Sequence, residues 1–223
     1  MPYHELFGEI SDDEGDVQLA EVATVSIHKE IPGLRVMDEL LSLKIQQELI
    51  PHLRTLFDPT NGGNQAMRFG ANLPSFLSPL LEIGKQLLPS DLQSRTPIFD
   101  QMIANHYYPG QGIAQHVDLA RFEDGVVIFS FLSPLVMDYR FVGQVSQDAV
   151  SYSLDAFPVI ENAKKVPVLL SPGSVVCLSG EARYNWAHGI AERLVDDFEG
   201  KTIHRQERIS ITLRKMKPNQ VLF

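Results

Sequence analysis

Two histidines and one aspartate in this chain have the side-chain types of a metal centre. His116 and Asp118 are two residues apart, and His188 follows much later. Residues i and i+2 of an extended strand point to the same face, so His116 and Asp118 could bind one ion. Two imidazoles and one carboxylate leave other positions of the metal open, which is the ligand set of non-heme Fe(II) oxygenases. The pattern therefore indicates these three residues as candidate iron ligands and as the catalytic centre.

Each part of this pattern also has an ordinary structural explanation. A His-x-Asp pair is often two solvated loop residues, and a histidine beside Trp186 is often a hydrogen-bonded core side chain. Gly189, directly after His188, favours a bend or a close approach of two backbones over a helix interior. A second motif gives the iron interpretation more weight.

Residues 207–216 alternate between polar and apolar side chains, with the period of a strand. Arg208 and Arg214 lie at the two ends of the polar face. An edge strand with one solvated face would have the same pattern. At ~3.3 Å per residue the two arginines are about 20 Å apart, so we expect them to have different partners. The polar face consists of Arg208, Ser210, Thr212 and Arg214, and the apolar face of Ile209, Ile211 and Leu213.

Together these motifs resemble the AlkB family of Fe(II)/2-oxoglutarate-dependent dioxygenases. The resemblance runs through most of the second half of the chain, and it implies that His116, Asp118 and His188 bind Fe(II). It also implies that Arg208 and Tyr107 hold the distal carboxylate of 2-oxoglutarate, the co-substrate consumed with O₂. Asn105 and Arg214 would lie near its metal-chelating end, and Ser210 would reach toward it. The matching stretches are Asn105-x-Tyr107-x-x-Gly110-x-x-Ile113-x-x-His116-x-Asp118, His188 and Arg208-x-Ser210-x-Thr212-x-Arg214.

Within the family, residues 180–190 and the stretch Phe122-Glu123-Asp124 are most similar to the branch that hydroxylates modified wobble uridine in tRNA. The bacterial founder carries a second acid, which helps to read the damaged base, where this chain has Ala120. Direct repair of alkylated DNA is therefore disfavoured. Animal relatives of this branch carry RNA-binding and methyltransferase domains, for which 223 residues leave no room. We accordingly expect a protein partner to supply substrate recognition.

These features predict oxidation of a nucleic-acid base, by hydroxylation or demethylation, in RNA rather than in duplex DNA. One alternative is a hydroxylase or demethylase of a basic polypeptide such as a histone tail. Abasic-site lyase activity through Lys164, Lys165 or a lysine near the C-terminus could accompany it as a side reaction. A small metabolite as substrate and a noncatalytic binding module are the others. Four aromatic residues near the motifs could stack a base, although core packing is the better explanation for Trp186, and Tyr108 should point away from the co-substrate. They are Tyr108, Phe122, Tyr184 and Trp186.

The net charge of −9 is unevenly distributed. Seven acidic residues and no lysine or arginine precede Lys29, which leaves 21 acidic and 19 basic residues in the rest of the chain. Residues 1–20 are expected to form a mobile acidic arm, which would repel phosphates and attract a basic polypeptide. The nearly neutral remainder could still carry a basic patch near the candidate site. The residues considered for that patch are Lys201, His204, Arg205, Lys215 and Lys217.

Composition predicts one globular domain over residues 21–223, since 44% of the residues are hydrophobic. Cys177 is the only cysteine and lies in an apolar run, so it should pack as a small hydrophobic side chain. Without an apolar run of about 20 residues or a signal-like N-terminus, we expect no membrane association and a nuclear or cytoplasmic location.

The element pattern predicts an α+β fold that is mainly β, a double-stranded β-helix with N-terminal helices on one face. Strand runs that follow helices, without βαβ alternation, favour an antiparallel sandwich or barrel. One helix should be capped by Asp38 and bent or ended by Pro51, and a second should cover 76–88. Residues 60–64 should form a loop, Pro172-Gly173 a turn, and 143–165 a long insertion. Strands are predicted at 22–27, 101–108, 126–132, 136–142, 168–170, 174–178 and 207–216.

Overall fold

The computed structural model describes residues 26–57, 63–70, 73–143 and 160–218. The predicted acidic arm and most of the predicted insertion and of the 60–64 loop lie outside these ranges, as do residues 22–25 of the first predicted strand. None of the helices in the described ranges is long and apolar enough to cross a membrane.

The strands form two antiparallel sheets and one hairpin. They are β1 (Ser26–Ile27), β2 (Leu34–Met37), β3 (Gln65–Phe69), β4 (Gln101–Tyr107), β5 (Ile113–His116), β6 (Val126–Phe131), β7 (Leu135–Phe141), β8 (Lys165–Leu170), β9 (Val175–Leu178), β10 (Trp186–Ile190), β11 (Val195–Phe198), β12 (Lys201–His204) and β13 (Arg208–Arg214). The larger sheet has the order β1-β2-β9-β6-β13-β4-β3, and the smaller sheet has the order β5-β10-β7-β8. β11 pairs with β12 alone. This architecture confirms the predicted double-stranded β-helix.

Two helices cover one face of the larger sheet, as predicted. α1 (Leu43–Arg54) and α2 (Ser78–Leu87) pack their buried side chains against the apolar side chains of β13. Full burial of one such aliphatic side chain contributes roughly 1.5–3 kcal/mol. The opposite face of the larger sheet packs on the smaller sheet through a second apolar cluster. The polar face of β13 therefore lies between the two sheets.

The predicted ends of the first helix were wrong. Ser42, rather than Asp38, is its N-cap, and the Ser42 hydroxyl accepts a hydrogen bond from the backbone N–H of Ile45. Pro51 lies inside α1 and does not end it. Both Pro51 and Gln47 are exposed, so water can bind the Gln47 carbonyl that the missing N–H of Pro51 leaves free.

The predicted strands that fall in the described ranges are present, with ends shifted by up to three residues. The Pro172-Gly173 turn is also present, and Gly173 has a φ of +80°. Sequence analysis missed β2, β3, β5 and the β11–β12 hairpin, which are short or carry mixed polar and apolar residues. β10 was also not predicted: Gly189 indicated either a bend or a close backbone approach, and the structure has a strand there. A short helix, α3 (Glu181–Tyr184), precedes that strand.

Candidate active site

All eight residues predicted for the iron and 2-oxoglutarate sites line one cavity between the two sheets. They are His116, Asp118, His188, Asn105, Tyr107, Arg208, Ser210 and Arg214. Apolar side chains from both sheets complete the lining, together with Thr212. These are Ile103, Ile113, Ile128, Met137 and Ile190.

Strand register explains why residues distant in sequence share this cavity. On β4 and β13, Tyr107 lies opposite Arg208 and Asn105 lies opposite Ser210. Directly opposite residues of antiparallel strands project from the same face. In the smaller sheet His188 of β10 lies opposite His116 of β5. Asp118 differs from the prediction in that it follows β5 instead of lying within it.

Gly189 allows the two histidine-bearing strands to approach each other. A Cβ atom at position 189 would lie 2.8 Å from the Cα atom of Gln115 and 2.8 Å from the Ile113 carbonyl oxygen. No side chain fits at that distance from a backbone. The predicted close backbone approach is therefore present, although it occurs within a strand and without a bend.

The histidine rings present nitrogen atoms that suit a metal. His116 Nδ1 lies 2.9 Å from the Ala114 carbonyl oxygen and donates to it, so Nε2 is the nitrogen that could bind a metal. His188 Nε2 lies 3.9 Å from Asp118 Oδ2. The centroids of the two imidazoles are 4.6 Å apart. His188 Nδ1 has no hydrogen-bond partner within the described ranges, and the His188 ring packs against Tyr139.

The protonation states also favour coordination. Burial lowers the pKa of His188 to about 3, with a further contribution from His116, so the imidazole is neutral at physiological pH. Burial alone would raise the pKa of Asp118. The guanidinium of Arg214, with Arg183 and the two histidines, instead holds that pKa below its usual range. Asp118 is therefore an ionised carboxylate.

The donor set suits Fe(II), and coordination requires only small movements of the side chains. Two atoms each about 2.1 Å from one ion and at right angles are about 3 Å apart. The distance of 3.9 Å between His188 Nε2 and Asp118 Oδ2 exceeds this value by about 1 Å. Accordingly, among the described residues no group of three histidine, cysteine or acidic side chains is already close enough together to bind a metal ion.

Arg208 lies at the other end of the cavity as a buried cation. Its side chain is 1% exposed, and its Nη2 donates to the Ser130 hydroxyl over 2.9 Å. Its Nε has no hydrogen-bond partner among the described residues. No carboxylate of those residues forms an ion pair with the Arg208 guanidinium. Burial lowers its pKa to about 10, so the guanidinium stays charged. A buried and unpaired cation is costly, and a carboxylate ligand would offset that cost.

Several functional candidates from the sequence have other roles. Phe122 is buried beneath the Arg214 guanidinium, 4.1 Å from its Cζ, so Phe122 cannot stack a base. Arg205 is 4% exposed and pairs with Asp196, so it does not belong to a surface basic patch. Trp186 is a core residue that packs on Phe141, and Tyr108 is 51% exposed outside the cavity, both as expected.

Sequence reasoning missed two side chains that support the site. Arg183 donates to the Asp118 carbonyl oxygen over 2.9 Å. Gln65 donates to Asn105 Oδ1 over 2.7 Å, which leaves the Asn105 amide N–H groups free to donate. The sequence gives no signal for either contact, because each one joins segments far apart in the chain.

Comparisons with known proteins agree with this geometry. The family model described as "2OG-Fe(II) oxygenase superfamily" matches residues 26–214. The chain is 28% identical over 215 residues to "Alkylated DNA repair protein ALKBH8 homolog" of Arabidopsis thaliana, covering 88% of this chain and 62% of the plant protein. It is 27% identical to "tRNA (carboxymethyluridine(34)-5-O)-methyltransferase ALKBH8" of Mus musculus, covering 94% of this chain and 35% of the mouse protein.

The chain thus spans less than two thirds of the length of these relatives. Among solved structures, that titled "The structure of OsALKBH1" aligns over 82% of this chain and 98% of its own, with a TM-score of 0.49 and 18% sequence identity. Since the family model covers most of the chain, the chain belongs to the 2OG-Fe(II) oxygenase superfamily as an AlkB-like dioxygenase that uses Fe(II) and 2-oxoglutarate.

Proposed function

We propose that this chain oxidises a base in RNA, with Fe(II) held by His116, Asp118 and His188. This proposal rests on one cavity, which these three side chains line together with Arg208. The Arg208 guanidinium is buried and lacks an acidic partner among the described residues. The two imidazoles and the carboxylate at one end of the cavity match a metal ion. The buried guanidinium at the other end matches one carboxylate of a dicarboxylate ligand.

Each protein residue has a defined task in this proposal. Arg208 would hold the distal carboxylate of 2-oxoglutarate, because a planar guanidinium can donate two hydrogen bonds to a carboxylate, and Tyr107 would add a phenolic donor. Asn105 and Ser210 offer polar groups between the two ends of the cavity. Arg214 holds Asp118 as a carboxylate. When bound, Fe(II) and 2-oxoglutarate supply O₂ activation and an oxidative decarboxylation that yields succinate and CO₂.

The apolar lining of the cavity excludes water from the reacting atoms. Ile128 of β6 and Met137 of β7 line the cavity from the two sheets. A water-poor site strengthens the charge interactions of Arg208 and Asp118. It also keeps the oxidising equivalents for the substrate.

A nucleic-acid substrate is supported by the names of the relatives, which refer to tRNA and to alkylated DNA. The preference for RNA follows from Ala120, because no acid stands there to help read an alkylated base in DNA. A base in single-stranded RNA needs no unpairing before it enters a narrow cavity.

A basic polypeptide is the second candidate substrate. The observation that favours it is the net charge of −9, with seven acidic residues before Lys29. Such a charge would attract lysine-rich tails and slow the approach of phosphates, more strongly at low salt.

A substrate comparison separates the two candidates. The protein is incubated with Fe(II), 2-oxoglutarate and O₂, together with tRNA, single-stranded DNA of matched length or a histone-tail peptide. Asp118→Ala protein is the control. Mass spectrometry of released nucleosides and of peptides should find an oxidised or demethylated nucleoside in tRNA only. An oxidised peptide with unchanged tRNA would reject the RNA proposal and support the basic-polypeptide substrate.

A further inference from the structure

Arg183 is one of the largest fully buried side chains of the protein, and the proposed chemistry gives it no task. It is 1% exposed and does not line the cavity. Its Nη1 donates to the carbonyl oxygen of Asp118 over 2.9 Å. Its Nη2 donates to the carbonyl oxygens of Leu119 over 2.9 Å and of Phe122 over 3.4 Å. One guanidinium thus binds three carbonyl groups of the turn that starts at Asp118.

The far part of this turn is held by backbone contacts, because Phe122 bridges Met216 and the Glu123 N–H donates to the Lys215 carbonyl oxygen over 2.8 Å. The start of the turn is not held in this way: β5 ends at His116, and Asp118 makes no backbone–backbone hydrogen bond within the described ranges. Asp118 is therefore positioned by side chains. Arg214 binds its carboxylate through Oδ1, and Arg183 binds its backbone carbonyl.

Arg183 also lies directly before the strand that carries His188. It belongs to α3, which leads through Asn185 into β10, where His188 lies opposite His116. Asp124, at the far end of the turn, accepts hydrogen bonds from the backbone N–H of Gly180 at the start of α3, at 3.1 and 3.0 Å. The turn after Asp118 and the segment before His188 are therefore joined at both ends.

We propose that Arg183 is a positioning residue for the metal site, which fixes the Asp118 carboxylate relative to the His188 imidazole. Loss of the guanidinium frees the Asp118 backbone and leaves the carboxylate held by Arg214 alone, so the position of Oδ2 opposite His188 Nε2 is less well fixed. This inference rests on the proposed role of Asp118 and His188 as iron ligands. Residues that orient metal ligands typically change metal affinity by 10–100-fold when they are substituted.

Arg95 provides a matched control. It is a partly buried arginine whose guanidinium also donates to backbone carbonyls, and two of its acceptors, Asp124 and Gly125, lie in the same loop. Its third acceptor is Ile98 and its ion-pair partner is Glu123, at 3.6 Å, whereas no hydrogen bond or ion pair joins it to Asp118 or to α3. Arg95→Met should therefore loosen the loop at its far end without displacing the ligand.

The test is an anaerobic titration with Co(II) alone, in which the ligand-field absorption of the bound ion reports binding. Four proteins are compared: wild type, Arg183→Met, Arg183→Lys and Arg95→Met. Urea unfolding of each protein identifies the variants that are folded. We expect the Co(II) dissociation constant to rise about tenfold or more in Arg183→Met. Arg183→Lys should show a smaller rise, because lysine keeps the charge but cannot bind three carbonyls, and Arg95→Met should match wild type. If Arg183→Met does not fold, the comparison of Arg183→Lys with Arg95→Met decides the outcome.

Two results would overturn the inference. One is equal Co(II) affinity in wild type and the folded Arg183 variants. The other is an equal loss in Arg95→Met, which would show a general loosening of the loop. Failure of wild type itself to bind Co(II) is distinguishable from both, because it would reject the proposed ligand set.

Discussion

Arg208 and Arg214 project from the same face of β13 at its two ends, but within the described ranges only Arg214 has an acidic partner. Arg214 donates to Asp118, whereas Arg208 donates to the uncharged hydroxyl of Ser130. The different partners expected from their separation along the strand are thus present. One arginine is neutralised by a proposed metal ligand, and the other carries a charge that a bound carboxylate could neutralise.

Substitution of Arg208 should therefore have opposite effects on stability and on ligand binding. In the absence of 2-oxoglutarate, Arg208→Met should raise the free energy of unfolding by about 1 kcal/mol, because an unpaired buried charge is removed. The variant should lose the stabilisation that 2-oxoglutarate gives wild type, which is about 2.7 kcal/mol at one hundred times the dissociation constant. Urea unfolding with Mn(II), with and without 2-oxoglutarate, measures both effects. An undiminished response to 2-oxoglutarate would reject the role of Arg208.

Loss of the Asp118 carboxylate should abolish metal binding and also destabilise the fold. Asp118→Ala leaves the buried Arg214 guanidinium without its acidic partner, and breaking such a pair from one side costs about 3–5 kcal/mol. Titration with Co(II) and urea unfolding measure the two effects. Replacement of Arg214 by Met in the Asp118→Ala background should recover part of the stability and none of the metal binding. Co(II) affinity close to wild type in Asp118→Ala would contradict the assignment.

The eight residues that the sequence proposed for the site line one cavity, whereas the residues that support them had no assigned role. His116, Asp118 and His188 were proposed as ligands from side-chain types and a family pattern, since metal chemistry restricts which residues can serve. Their supports are not restricted in this way. Arg183 binds backbone carbonyls, which every residue has, so nothing in the turn after Asp118 indicates an arginine partner.

Gly189 should not accept a side chain. Gly189→Ala would place a methyl group against the β5 backbone, so we expect a loss of about 1–3 kcal/mol in stability and weaker Co(II) binding as His188 and His116 move apart. Gly63→Ala is the control, because a Cβ atom there meets no atom within 4 Å. Urea unfolding and Co(II) titration of both variants test this prediction. Equal values for Gly189→Ala and wild type would show that the strand approach has no role in the site.

Asp196 should make the free energy of unfolding depend on pH in acidic solution. It is fully buried, and burial alone would raise its pKa, but hydrogen bonds from Arg205, the Val136 N–H and Arg193 lower that pKa below its usual value. The unfolded state therefore takes up the proton first, at about pH 4, and the stabilisation by Asp196 is lost as the pH falls further. The difference in unfolding free energy between wild type and Asp196→Asn should be constant above about pH 5 and shrink below about pH 4. A difference that stays constant down to about pH 3 would contradict this prediction.

The helix and strand predictions failed where tertiary contacts determine the ends. Asp38 has the side chain of a good N-cap, but Leu41 is bound through its N–H to the Gly173 carbonyl, so α1 begins only after Ser42. The residues of β10 are all buried, and they form a strand because β5 and β7 pair with them on both sides. A glycine after a histidine shows that the backbone needs space, but it does not show which backbone approaches.

Succinate formation from 2-oxoglutarate is the most direct test of whether His116, Asp118 and His188 form an oxygenase centre. Wild type and Asp118→Ala are reduced anaerobically, loaded with Fe(II) and 2-oxoglutarate, and exposed to O₂ with and without tRNA. We expect Fe(II)-dependent succinate in wild type, increased by tRNA and absent in Asp118→Ala. Wild-type protein that forms no succinate, or that forms equal amounts with and without the Asp118 carboxylate, would contradict the proposed oxygenase site.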